Sequence, residues 1–388
     1  MRIRLSAALS AALIAGSAGS AGAADFKVGV QLSLTGPLAL AGSEMNHGVQ
    51  IAADVFARRY PQHRVLLSVV DDESSPAKAV AAVEKLAAQR VNAIVGGTIS
   101  NITGPASEAA NRAGVPFVTP GGTSDDMVKR GLQSFFRISN NPGYARGMSG
   151  LLGSLGVKSA AIVYSTRDAT SDLAGKLKTI LAAAGVATVM HPFDPAVKDF
   201  KPIVNKIKLR DRSEAIVMIA YENDYAGILR AARVLKPPVK ALVGAWALAT
   251  PKMAAAFPEL LPNVYGATVL PTQVGSNPLA LEFDQAYRQR YKSSASYHAQ
   301  TSYAIASLLF EALAKTEQAG VLGKPGALVN TLRGSQQRTL LGPVRFDARG
   351  DNLNYTAHMG QFRANGDIDI VWPADYATAK PRYPALPW

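Results

Sequence analysis

Apolar residues recur along this chain in two alternating modes. Short runs of strand length, at Phe26–Leu32, Val65–Val70, Ala93–Val95 and Val115–Val118, are separated by stretches with helical spacing. In Met45–Phe56, residues Met45, Val49, Ala52 and Phe56 fall on one helical face. Ser75-Pro76 has the form of an N-cap followed by Pro at the first helical position, and opens a helix over Ala77–Gln89. A further helix is predicted over Pro105–Ala113. A second series places strands at Ala160–Tyr164, Ala187–His191, Ala215–Ile219 and Ala241–Val243. Its helices fall at Asp172–Ala184, Phe200–Lys208 and Ala226–Leu235. Strands that alternate with helices form parallel sheets covered on both faces. Two such series predict two α/β lobes, and the absence of a low-complexity linker predicts short crossovers between them.

The N-terminus follows a different pattern. Met1–Arg4 is basic, Leu5–Ala15 is apolar, and small residues lead to Ala21-Gly22-Ala23. This is the layout of a secretory signal peptide over residues 1–23, cleaved after Ala23. The apolar part is too short to span a bilayer, and the longest later run, Tyr303–Leu313, is broken by Ser307 and Glu311. The remaining chain of about 365 residues is more than one core usually supports, so two domains are expected. The chain contains no cysteine, which rules out disulfides, thiol catalysis and thiolate metal sites. The net charge is +13, and two arginines of that excess lie within residues 1–23. The sequence has no run of five Lys/Arg and no aromatic-rich basic segment, so the basicity is diffuse. It suits attraction of anionic ligands better than a nucleic-acid footprint.

Open parallel sheets bind ligands beyond the carboxyl ends of their strands. The candidate segments there are Gly96-Gly97-Thr98-Ile99-Ser100-Asn101 and Thr119-Pro120-Gly121-Gly122-Thr123-Ser124. Hydroxyls and helix-start amides in these two turns suit either a carboxylate cradle or ordinary helix caps. Enzyme readings find no support. The five histidines are scattered, and no His-Glu-x-x-His, Gly-x-Ser-x-Gly, phosphate-loop or dinucleotide fingerprint occurs. Asp71-Asp72-Glu73 is read as a strand-end turn rather than a metal site. His298, next to Tyr297, either faces the cleft or sits at a helix start. No cofactor is implied.

Several blocks, taken in order, resemble the branched-chain amino-acid-type (Leu/Ile/Val-binding-like) periplasmic solute-binding proteins of ABC importers. They are "KVGVQLSLTGPLALAGSEMNHG" (Lys27–Gly48), "DDESSPAKAVAAVEKL" (Asp71–Leu86), "GGTISNITGPAS", "GVPFVTPGGTS", "VKDFKPIVNKIK" and "GPVRFDARGD". The resemblance covers essentially the whole chain after residue 23. It implies a type I periplasmic-binding fold, with two doubly wound lobes joined by three hinge crossovers near Ser139–Asn141, Leu270–Thr272 and Phe346–Arg349. Lobe 1 would then be 24–139 plus 271–347, and lobe 2 140–270 plus 348–388, with the tail Lys380–Trp388 irregular and either packed on lobe 2 or frayed.

The same resemblance implies a monomeric periplasmic protein that captures a small carboxylate and presents it to an inner-membrane ABC permease. A ligand-sensing accessory protein for a membrane receptor is the alternative. Ser100, Gly122 and Thr123 stand at the positions implied to hold the carboxylate. On the second lobe Ala169 takes an aromatic position, after Arg167 and Asp168, and Ala41 takes another on the first lobe. Trp246 stands where amino-acid binders place an acidic residue for the ammonium. Either Glu222 or Asp224 then supplies that partner, or Tyr221 and Trp246 form a wall for an apolar or aromatic acid. The expected contacts are Ser100, Gly122, Thr123, Tyr221, Glu222 and Trp246.

Overall fold

The computed structural model describes residues 24–268, 278–386 and 388. The chain opens with β1 (Ala24–Leu32), α1 (Ala39–Arg59), β2 (His63–Asp71), α2 (Pro76–Ala88), β3 (Ala93–Gly96), α3 (Ser100–Arg112), β4 (Phe117–Thr119), α4 (Asp126–Lys129) and β5 (Phe135–Arg137). Its five strands pair in parallel in the order β2-β1-β3-β4-β5. Val28–Leu32 of β1 is buried at every position, the near-continuous pattern of a strand covered on both faces. Ser75 caps α2 with Pro76 inside its first turn, as the sequence predicts. Helix α3 starts at Ser100 rather than at Pro105. Pro105 lies one turn into it, where the missing amide deprives only the carbonyl of Asn101 of its helical partner.

The second series runs α5 (Asn141–Ser154), β6 (Ser159–Ser165), α6 (Asp168–Ala183), β7 (Ala187–Phe193), α7 (Lys201–Lys206), β8 (Ala215–Ile219), α8 (Glu222–Leu235), β9 (Ala241–Gly244), α9 (Pro251–Ala256) and β10 (Tyr265–Thr268). The chain then returns to the first lobe as α10 (Pro278–Tyr291), α11 (Tyr297–Gln318), α12 (Ala327–Arg333) and a ribbon of β11 (Arg338–Thr339) and β12 (Gly342–Pro343). Helices α1 and α11 pack at backbone contact. A Cβ on Gly48 would lie 2.1 Å from the Ala299 carbonyl oxygen, and the Ser302 hydroxyl donates to the Met45 carbonyl at 2.7 Å. Finally β13 (His358–Phe362) and β14 (Ile368–Trp372) complete a second sheet ordered β14-β13-β10-β9-β8-β6-β7. The parallel sheets expected from the sequence are present, and the second is extended at one edge by antiparallel strands. Strand β13 runs antiparallel to β10, and the tight turn before β14, with Gly366 at φ +87°, folds the two last strands into a hairpin. Both sheets are α/β layers with apolar clusters on their faces. None of the described helices is long and apolar enough to cross a membrane.

Two described segments pass between the lobes: 138–140, and 344–357 between β12 and β13. The crossover expected near Leu270–Thr272 falls among residues 269–277, and it and the signal peptide expected over 1–23 lie outside the described residues. The two described crossovers are tied by Arg137, which is fully buried. Its guanidinium bonds both carboxylate oxygens of Asp351 at 2.8 and 2.9 Å and Asp125 at 3.0 Å. It also donates to the carbonyls of Thr123 at 2.8 Å and Ser124 at 2.6 Å. Asn140 adds a bond to Asp351 at 2.7 Å. Gly350 is required beside this pair: its φ is +75°, and a Cβ would meet the Phe135 carbonyl oxygen at 1.7 Å. The C-terminal tail packs on the second sheet, through Arg382 to Gln361 and Phe362 and through Ala385 to Lys240.

Removing one member of a buried ion pair leaves the other charge uncompensated. Arg137→Ala is therefore expected to destabilise the protein by about 3–5 kcal/mol, read as a lower urea midpoint. A loss below about 1 kcal/mol would show that Asp351 and Asp125 find other partners.

Candidate functional site

Residues that follow the strands of both sheets converge on one cavity between the lobes. From the first lobe, Thr98 and Ile99 follow β3, and Pro120, Gly121 and Thr123 follow β4. Met45 reaches in from α1, and Tyr297 and His298 from the first turn of α11. The amide and hydroxyl of Thr123 have no partner among the described residues, while its carbonyl is fixed by Arg137 and by the Asn141 amide at 3.0 Å. Thr123 thus offers two donors on a turn anchored from behind. Ser100 and Gly122 are not on the cavity wall. The Ser100 hydroxyl accepts from the Ser124 amide at 3.1 Å, and the Gly122 amide donates to the Thr119 hydroxyl at 3.1 Å. Both hold the turns that present Thr123 and Gly121.

From the second lobe come Tyr144 in α5, Ala169 in α6, Tyr221 after β8 and Trp246 after β9. Trp246 is 5% exposed, and its ring meets Tyr144 edge-on at 5.5 Å and Tyr221 at 6.1 Å. Tyr225 holds the Trp246 carbonyl at 3.1 Å. Arg167 stacks over the Tyr221 ring at 5.9 Å. Burial raises the Tyr221 phenol far above its ordinary range, so it stays protonated. The wall therefore carries four aromatic rings, and none of the described residues lining it is an Asp or Glu.

The acids suggested by the sequence lie elsewhere. Glu222 lines an adjoining recess, where its carboxylate is 3.0 Å from His298 Nε2. Burial opposes its ionisation, but the hydrogen bond and charge of His298 outweigh that and hold the Glu222 carboxyl below its usual range. Asp224 turns back to accept the Tyr221 amide at 3.3 Å and so caps α8. Ala41, on α1, is not on either wall, and Met45 one turn later fills the space. Asp71 accepts from the amides of Leu34, Thr35 and Glu73, which makes it a turn-former.

Charged pairs also bridge the lobes outside the cavity. Glu44 of α1 bonds Lys252 of α9 and accepts from the Tyr287 hydroxyl at 2.8 Å. Asp125 bonds Lys176 of α6, and its amide donates to Asp172 at 3.2 Å. With Glu222–His298 these contacts close the cleft on both flanks.

A family model described as periplasmic binding protein matches residues 25–367. The chain belongs to the periplasmic binding protein family. Membership places it among solute-binding proteins rather than enzymes. Over 98% of its length it is 28% identical to the Leu/Ile/Val-binding protein homolog 8 of Brucella suis biovar 1, and covers 98% of that relative. The chain spans about half the length, 53% and 52%, of two further Leu/Ile/Val-binding relatives it matches. The branched-chain amino acid transporter substrate-binding protein LivJ of Streptococcus pneumoniae, solved with isoleucine, has the same fold. Its TM-score is 0.77 at 24% identity, covering 89% of this chain and 97% of that one. A solute-binding protein of R. palustris solved with benzoate also superposes with TM-score 0.77, at 18% identity and 92% and 98% coverage.

Of the six expected contacts, the family fold brings Thr123, Tyr221 and Trp246 to the cavity and Glu222 to its edge. Tyr144, Tyr297 and Met45 were not singled out for the site by sequence, although Met45 lies on the predicted buried face of α1. If the flanking ion pairs hold the lobes together, a protein carrying both Lys252→Ala and His298→Ala should have a larger radius of gyration by small-angle scattering. An unchanged radius would assign closure to the hinge contacts alone.

Proposed function

We propose that this protein is the substrate-binding component of an ABC importer, exported to the periplasm by the segment 1–23 and acting as a monomer. It captures one small carboxylate-bearing ligand by hinge closure of lobe 1 (24–139 plus 271–347) on lobe 2 (140–270 plus 348–388). The observation that carries this reading is the cavity itself, with the free donors of Thr123 on one side and the rings of Tyr221 and Trp246 on the other. The amides of Ser100 and Asn101 at the start of α3 have no partner among the described residues, lie beside Thr98 and Ile99, and favour an anionic group there. Ser100 and Gly122 shape this cradle, and Glu222 closes its edge.

An apolar or aromatic acid fits better than an α-amino acid. A buried ammonium needs a charge partner, and the nearest acid, Glu222, is already bonded to His298. The aromatic wall instead supplies apolar contact for a flat ring. Benzoate in the R. palustris neighbour shows that the fold accommodates such an acid, and isoleucine in LivJ that it also accommodates an amino acid. Closure stabilised by the ligand gives the permease a state to recognise.

Thr123→Val keeps the shape and removes the hydroxyl. Benzoate affinity, read by calorimetry, should fall by about ten- to a hundredfold, with the melting temperature nearly unchanged. An unchanged dissociation constant would reduce Thr123 to a structural turn residue.

A further inference from the structure

Two buried polar atoms on the wall of the cavity have no partner among the described residues: the Tyr144 hydroxyl and His298 Nδ1. Tyr144 is fully buried, at 0% exposure, and its ring is wedged edge-on between Trp246 at 5.5 Å and Tyr355 at 5.2 Å. That packing holds the ring, and the hydroxyl has no partner among the described residues. A buried hydroxyl without a partner forfeits the hydrogen bond it would make in water, a loss that structures rarely leave uncompensated.

His298 adds a second requirement. Its Nε2 faces the Glu222 carboxylate, which accepts only, so Nε2 donates to it. Nδ1, across the ring, has no partner among the described residues. The residues lining the cavity therefore leave a phenol and an imidazole nitrogen unsatisfied. An unsubstituted ring satisfies neither. The Thr123 turn already provides for a carboxylate. A hydroxyl both donates and accepts, and so complements both groups.

We propose that the ligand is a ring-hydroxylated aromatic carboxylate, and that Tyr144 and His298 are the residues that meet its hydroxyl groups. This rests on the carboxylate reading above. The acid end would bind the Thr123 turn, the ring would lie against Trp246 and Tyr221, and the hydroxyl would engage Tyr144 and His298.

The test is calorimetric titration of the purified protein with benzoate, each of the three monohydroxybenzoates and 3,4-dihydroxybenzoate. At least one hydroxylated acid should bind about tenfold or more tightly than benzoate, the equivalent of one well-formed hydrogen bond. In Tyr144→Phe the ratio of that acid's affinity to benzoate's should fall to within about twofold of one. The ratio, rather than either affinity, separates recognition of the hydroxyl from any general loosening of the site. Equal binding of benzoate and all hydroxylated acids to the unmodified protein would overturn the proposal, as would an unchanged ratio in Tyr144→Phe. The first comparison needs no variant, so the proposal stays falsifiable if Tyr144→Phe fails to fold. Binding of none of these acids would overturn the carboxylate reading itself, whereas binding without a hydroxyl preference would overturn this inference alone.

Discussion

The charges buried where the two lobes meet are paired within the protein, and the chemistry of the cleft depends on that constraint. Arg137 is paired with Asp351 and Asp125 and Glu44 with Lys252, and Glu222 is hydrogen-bonded to His298. An unpaired charge in such a setting costs several kcal/mol, so each pairing removes a residue from the set that could bind a ligand's charge. What remains on the cavity wall is the donors of Thr123, four aromatic rings and two polar atoms without partners. A site of this composition selects by shape and hydrogen bonding, with anionic charge received at helix-start and turn amides.

The same pairs join the candidate site to the crossovers. Arg137 bonds the carbonyls of Thr123 and Ser124 on the turn after β4 and, on its other side, Asp351 in the crossover strap. Asp125, in the same network, reaches Lys176 on the second lobe. The turn that would hold the carboxylate is thus continuous, through hydrogen bonds, with the hinge and with the opposing lobe. Glu222 and His298 play the corresponding part at the front of the cleft. Their contact forms only when the lobes meet, and the imidazole it orients is also part of the cavity wall.

Much of the α/β alternation was legible because strands buried on both faces are written as apolar runs. Val28–Leu32, Ala93–Gly96 and Ala215–Ile219 are buried at every position, and the sequence pattern alone marks them. The antiparallel hairpin of β13 and β14 was not legible, since its pairing with β10 joins residues about ninety positions apart. Thr123, Tyr221 and Trp246 could be found because the strand-end rule points to them. The rule could not tell Gly121 from Gly122, because the amides of both bond the Thr119 hydroxyl and only the folded turn places Gly121 on the wall. Tyr144 and Tyr297 stand in the first turns of α5 and α11, and only the tertiary fold brings those turns to the cleft. Glu222 was visible as a candidate ammonium partner, but its hydrogen bond to His298, 76 positions away, was not.

The central claim is that the closed cavity admits an acid and has no place for an ammonium. It is tested most directly by titrating the purified protein with benzoate and, separately, with leucine under the same conditions. The account predicts saturable binding of one benzoate per chain and binding of leucine at least about a hundredfold weaker, the cost of burying an ammonium without a free carboxylate. Tight binding of leucine, lost when its amine is acetylated, would contradict it and return Glu222 to the role of ammonium partner.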